Sequence, residues 1–208
     1  YKSLNNLYEK YNSCEKMEVR KLEAEAYLSE LKREWPEVFR IYEKLNSGET
    51  LNTLDKEWIE EIAKESGWSV DDVVDEIKNA DKEPSSRIEI YQRMFEEYYN
   101  EAKELEKKGD RRQAGEKIWG AITALIKLFA AKKGVGIIYW SAGKMDRFIS
   151  SNVEEKYKKL FRELLYKGQI LHFNFYEDNM SEEGFKETFD EVVKLIEEVK
   201  KIVFSKVG

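Results

Sequence analysis

Only two prolines, Pro36 and Pro84, occur in 208 residues. Proline breaks helices, because it lacks the backbone donor and clashes with the preceding turn. A chain almost free of it, with 33 Glu and 27 Lys among its helix formers, can run in long helices. Apolar side chains recur every three or four residues, as at Leu28, Leu31, Trp35, Val38, Tyr42 and Leu45, the spacing of a buried helical stripe. An all-α fold is expected: an up-and-down helical bundle preceded by a smaller acidic helical region.

Stop and start signals divide the chain further. Helices are predicted over about 4–34, 36–46, 54–66, 70–80, 87–108, 111–133, 137–149, 151–176 and 181–206. Pro36 fits the first turn of the second helix. Thr53, Ser69 and Asp110 are placed to cap helix starts, and Ser151-Asn152-Val153-Glu154 reads as a capping box. Gly48, Gly67, Gly109 and Gly134 follow helix ends. The helix over 111–133 is apolar around most of its circumference, which suits a central position. Gly115 and Gly120 inside it each cost about 1 kcal/mol against Ala, so close approach of a neighbouring helix is expected there. Cys14, at helical spacing from Tyr11 and Met17, reads as a small buried residue.

Charge separates two parts at the polar stretch 81–86. Residues 1–84 carry 13 Lys+Arg and 21 Asp+Glu, a net of −8; residues 85–208 carry 23 and 21, a net of +2. The expected units are an acidic helical region, 1–84, and a bundle, 85–208. Residues 54–80 have the size of a helix-turn-helix. The second helix of that pair presents Asp71, Asp72, Asp75 and Glu76, where a DNA reader needs basic and amide side chains, so DNA is excluded. A protein partner for acidic residues 54–80 is the alternative. No apolar run approaches the roughly 18 residues of a membrane span, and the first residues lack the apolar core of a secretory signal. A cytoplasmic protein is expected. The Lys/Glu-rich balance, with only 3 Gln and 1 Cys, is that of proteins from hot environments.

Candidate chemistry centres on His172, the single histidine. Gln169, His172 and Tyr176 share a helical face, and Arg162 lies about three turns earlier. Gln113, Glu116 and Lys117 on the central helix could converge on them. His172 and Arg162 are the catalytic candidates, and Gln113, Lys117, His172 and Tyr176 the ligand-binding ones; a structural histidine is the competing reading. No metal is expected, because Gln169 rather than a glutamate stands three residues before His172. Gly134-Val135-Gly136 lacks the strand and the following Lys-Ser/Thr of a phosphate loop, and reads as a helix terminator. No cofactor is implied.

Two segments carry a family resemblance. Gly109-Asp110-Arg111-Arg112-Gln113-Ala114-Gly115-Glu116-Lys117-Ile118-Trp119-Gly120-Ala121 and Leu171-His172-Phe173-Asn174-Phe175-Tyr176-Glu177 resemble the archaeal PaREP-type family over about residues 86–206. That resemblance implies a HEPN-like bundle (higher eukaryotes and prokaryotes nucleotide-binding) and, through it, self-association as a homodimer. Catalytic HEPN ribonucleases carry an arginine shortly before a histidine. Here nine residues separate Arg162 from His172, so that motif is not matched. The function expected is a non-catalytic binding or assembly module, with nucleotide or RNA as candidate ligands. The alternative is a metal-independent ribonuclease using His172. The 13% aromatic content supplies large anchors for an interface.

Overall fold

The most apolar helix of the sequence is the structural axis. The computed structural model describes residues 2–136 and 141–205, with side chains from residue 16 onward, 20 and 23 excepted. Its axis is α6 (Arg111–Lys132), in which every residue from Ile118 to Ala131 is buried. Around it run α1 (Lys2–Glu34), α2 (Pro36–Ser47), α3 (Thr53–Ser66), α4 (Val70–Lys78), a 3-10 turn (Pro84–Arg87), α5 (Ile88–Lys107), α7 (Ala142–Asn152), α8 (Glu155–Glu177) and α9 (Glu182–Phe204). No strand occurs among the described residues, so the fold is all-α. Helices α5, α8 and α9 pack directly on α6, as do α3 and the 3-10 turn.

Local chemistry explains most boundaries. Pro36 sits in the first turn of α2, and Gly48 ends that helix at φ 78°. The start of α3 is shifted from the expected cap: Asn52, not Thr53, accepts from Asp55 N, and Asp55 accepts from Asn52 N in return. That reciprocal pair satisfies two donors, where a threonine cap alone would satisfy one. Helix α7 starts at Ala142 under a Ser141 cap, later than residue 137; Tyr139 and Trp140 lie outside the described residues. Ser151 and Asn152 do not start α8. They extend α7, and α8 begins after Glu154, which makes no side-chain cap. Buried Phe148, Ile149 and Val153 hold that corner, and their burial sets the boundary. Cys14 and Tyr11 lie outside the described side chains, while Met17 is exposed.

The two helix glycines meet backbone. A Cβ on Gly115 would lie 2.5 Å from Leu171 O of α8, and one on Gly120 would lie 2.5 Å from Gly67 O beyond α3. Gly67 is itself at φ 69°, a conformation that glycine alone adopts freely. The close contact is reinforced by hydrogen bonds. Trp119 Nε1 donates to Glu65 O (2.7 Å), Trp68 Nε1 to Gly120 O (3.0 Å) and Thr123 Oγ1 to Ser66 O (3.0 Å). Ile59, Ile62, Trp68, Val73 and Ile77 share one apolar core with Tyr91, Phe95, Ile122 and Ile126. That core passes across residue 84 without a break, and Arg87 is buried in the turn that follows Pro84. No helix among the described residues is long and apolar enough to cross a membrane.

Candidate functional site

His172 faces the central helix and is 8% exposed. Its ring stacks on Trp119 (centroids 5.5 Å apart) and meets Tyr176 edge-on at 5.4 Å. Nδ1 lies 2.8 Å from Glu116 Oε2. A carboxylate accepts there, so Nδ1 carries the proton. Of the side chains expected to converge, Glu116 and Tyr176 do so. Tyr176 then donates to Lys64 O (3.2 Å), with Lys64 Nζ 4.9 Å over its ring. The others lie elsewhere. Lys117 pairs with Glu101 at 3.2 Å and stands over the Tyr98 ring. Gln113 is exposed in the first turn of α6. Arg162 is drawn toward α7, donating to Asp146 (3.1 Å) and Ser150 (2.7 Å). Arg162 and His172 therefore do not form one site; ion pairing decides the arginine's direction, and aromatic packing the histidine's.

A better-built site lies at the other end of α6. A cavity of about 340 Å³ opens between α1, the end of α4, the 3-10 turn and the second half of α6. Its apolar lining comes from Ala24, Tyr27, Ala80, Pro84, Ala131 and Val135. The deep wall is ionic. Glu76 of α4 accepts from Lys127 Nζ (2.7 Å) and the Tyr91 hydroxyl (2.5 Å) through Oε1, and from Arg87 (3.0 Å) through Oε2. Arg87 also donates to Asp75 at 2.7 Å. Lys127 stands over the Trp68 and Tyr91 rings, at 5.4 and 5.7 Å.

The burial of this set governs its protonation. Glu76, Arg87 and Lys127 have side chains 10%, 8% and 3% exposed, against 48% for Asp75. Desolvation alone would raise the Glu76 carboxyl, but Lys127 and Arg87 outweigh it and hold the group below its usual value. Desolvation lowers Lys127 despite the same contact. Burial, with Glu76 close by, raises both Tyr27 and Tyr91, so their hydroxyls stay protonated. The wall thus holds the Arg87 and Lys127 cations around the Glu76 carboxylate, with half-exposed Asp75 also on Arg87. Lys82 and Glu83 stand at the rim. Such a wall can hold an anionic group through charge-assisted hydrogen bonds.

Sequence reasoning missed Glu76, Arg87, Tyr91 and Lys127. The acidic face expected of α4 is not uniform: Glu76 is buried, and Asp72 accepts from the Tyr98 hydroxyl. A signal was present: Lys127 is the single charge between Lys117 and Lys132 on a helix apolar all round. A lysine there needs a buried anion.

The model of the archaeal PaREP1/PaREP8 family matches residues 90–196, more than half the chain and the part that builds α5 to α9. No curated protein and no solved structure matches.

Proposed function

The chain belongs to the archaeal PaREP1/PaREP8 family, and we propose that it is a non-catalytic binding module whose cavity beneath α1 takes a small molecule bearing one anionic group. The observation that carries this reading is the deep wall of that cavity, where buried Arg87 and Lys127 share the Glu76 carboxylate. A ligand carboxylate or phosphate would accept further charge-assisted hydrogen bonds from the same two cations. The cavity volume is within the range of small-molecule sites, about 300–1,000 Å³, and its alanine, proline and valine lining suits an apolar body. Nucleotide-sized molecules fit this description.

The ribonuclease reading has less support. His172 is covered by Trp119 and held by Glu116, and a general acid must reach its substrate. Docking through acidic residues 54–80 is weakened as well, because Asp55, Asp75 and Glu76 pair with cations of the same chain and Asp72 accepts from the Tyr98 hydroxyl.

Thermal denaturation with paired probes tests the proposal: AMP against adenosine, and benzoate against benzamide. A ligand at a hundred times its Kd stabilises the fold by about 2.7 kcal/mol, which raises Tm by roughly 5–10 °C for a chain of this size. At least one charged member should raise Tm and its neutral analogue should not. Ala24→Phe, which fills the cavity from α1, should abolish the shift. Equal effects within each pair, or a shift that survives Ala24→Phe, would sink the reading.

A further inference from the structure

Lys127 departs from an ordinary structural lysine in where its amine lies. The side chain is buried, yet it forms part of the cavity wall. An ion pair at this depth is seldom kept for stability alone, since apolar side chains of similar volume often stabilise a fold as well or better. Its Nζ donates to Glu76 Oε1, with the Trp68 and Tyr91 rings beside it. Arg87 holds the other oxygen of the same carboxylate. Burial acts most strongly on the Lys127 amine and lowers it, Arg87 lowers it further, and Glu76 offsets only part of this. A desolvated lysine beside a second cation gives up its proton readily and is then a nucleophile toward carbonyl carbon.

We propose that Lys127 captures an α-keto acid as an imine, with Arg87 holding the ligand's carboxylate and Glu76 carrying the proton. The proposal rests on the anion-binding reading of the cavity and adds the reacting group. Geometry selects the ligand. Lys127 and Arg87 bind opposite oxygens of one carboxylate, so amine and guanidinium stand close together. In an α-keto acid the carbonyl carbon is bonded directly to the carboxylate carbon, which suits that spacing. Ala24, Ala80, Pro84, Ala131 and Val135 line the remaining space and suit a branched hydrocarbon side chain.

The steps need only the ligand and these side chains. Lys127 Nζ gives one proton to Glu76 Oε1, 2.7 Å away, and becomes a neutral amine. Its lone pair forms the C–N bond as the C=O π pair moves onto oxygen, and Glu76 returns the proton to that oxygen. The nitrogen, now positive and bearing two protons, gives one to Glu76. Glu76 passes it to the departing hydroxyl, which leaves as water while the nitrogen lone pair closes C=N. A protonated imine then faces the Glu76 carboxylate, so the charge of the buried pair is unchanged. Hydrolysis runs the same steps backwards and releases the ligand, so the capture is reversible and requires no turnover.

Trapping with sodium cyanoborohydride on the full chain is the test. The probe is α-ketoisocaproate; the control is α-hydroxyisocaproate, which keeps the carboxylate and lacks the carbonyl. Cyanoborohydride delivers hydride to the imine carbon and fixes the adduct as a secondary amine. Intact mass should show a single adduct with the keto acid and none with the hydroxy acid. Peptide mapping of the wild type should place it on Lys127 among the 27 lysines. Excess hydroxy acid should slow the trapping by occupying Arg87. Ala24→Phe, which fills the cavity, and Lys127→Met, which removes the amine, should each abolish it. Adducts scattered over other lysines, or undiminished in Ala24→Phe, would overturn the proposal. So would the absence of any adduct, and thermal denaturation then separates the two readings. A Tm raised by both acids would leave the anion site standing without the covalent step, whereas a Tm raised by neither would remove both.

Discussion

At the scale of the residue, Glu76 is the anion on which one end of the fold depends. It accepts from Lys127, Arg87 and Tyr91 together. Removing its charge takes the shared carboxylate from Lys127 and leaves Arg87 paired with Asp75, and breaking a buried pair this way costs about 3–5 kcal/mol. Glu76→Gln should lose that much in urea denaturation. The pH dependence has a definite sign. The folded Glu76 carboxyl lies below its ordinary 4.5, so its stabilisation is fully present above pH 4.5 and is lost as pH falls through the lower folded value. The acid limb of the stability profile should be shallower in Glu76→Gln than in the wild type. His172 offers a milder case. His172→Ala leaves Glu116 without its donor and uncovers Trp119, for a loss of about 1–3 kcal/mol. The two residues differ in legibility. A lone histidine stands out in a sequence, whereas one buried glutamate is hidden among 42 acidic residues, because side-chain type does not record depth. The isolation of Lys127 in an apolar run was the only trace of the set.

Between elements, two glycines of α6 meet the backbone of their neighbours. Gly115 of α6 seats Leu171 of α8, and Gly120 seats Gly67 beyond α3. Alanine at either position gains about 1 kcal/mol of helix propensity. It must also push a carbonyl oxygen away, and overpacking of this kind costs about 1–3 kcal/mol. Gly115→Ala and Gly120→Ala should therefore both lower Tm; a rise in either would show that the helices can part at little cost. The need for close approach was legible from two glycines in a helix, but the partner helix was not. Helix existence followed from periodicity and the rarity of proline. The starts of α3, α7 and α8 did not. Asn52 outcompetes Thr53 through a reciprocal bond with Asp55, and the burial of Phe148 and Ile149 carries α7 past the apparent cap at Ser151.

Across the whole molecule, the acidic early helices and the bundle share a core and jointly enclose the cavity. Residues 90–196 match the family and supply Tyr91 and Lys127, while Ala24, Tyr27, Glu76 and Arg87 come from before them. A chain cut at residue 85 would lose the cavity's lid and the Lys127 counter-ion together, so its bundle should be markedly less stable than the full chain. No linear pattern announces such a site, because its members are distant in sequence and only the packing of α4 and the 3-10 turn onto α6 unites them. The most direct test of the anion-binding cavity is calorimetric titration of the wild type and a folded Lys127→Met variant with AMP and with benzoate. Saturable one-to-one binding to the wild type is expected for at least one of them, weakened about tenfold or more in Lys127→Met through loss of a charge-assisted hydrogen bond. Equal affinity in both proteins, or no heat with either anion in the wild type, would contradict it.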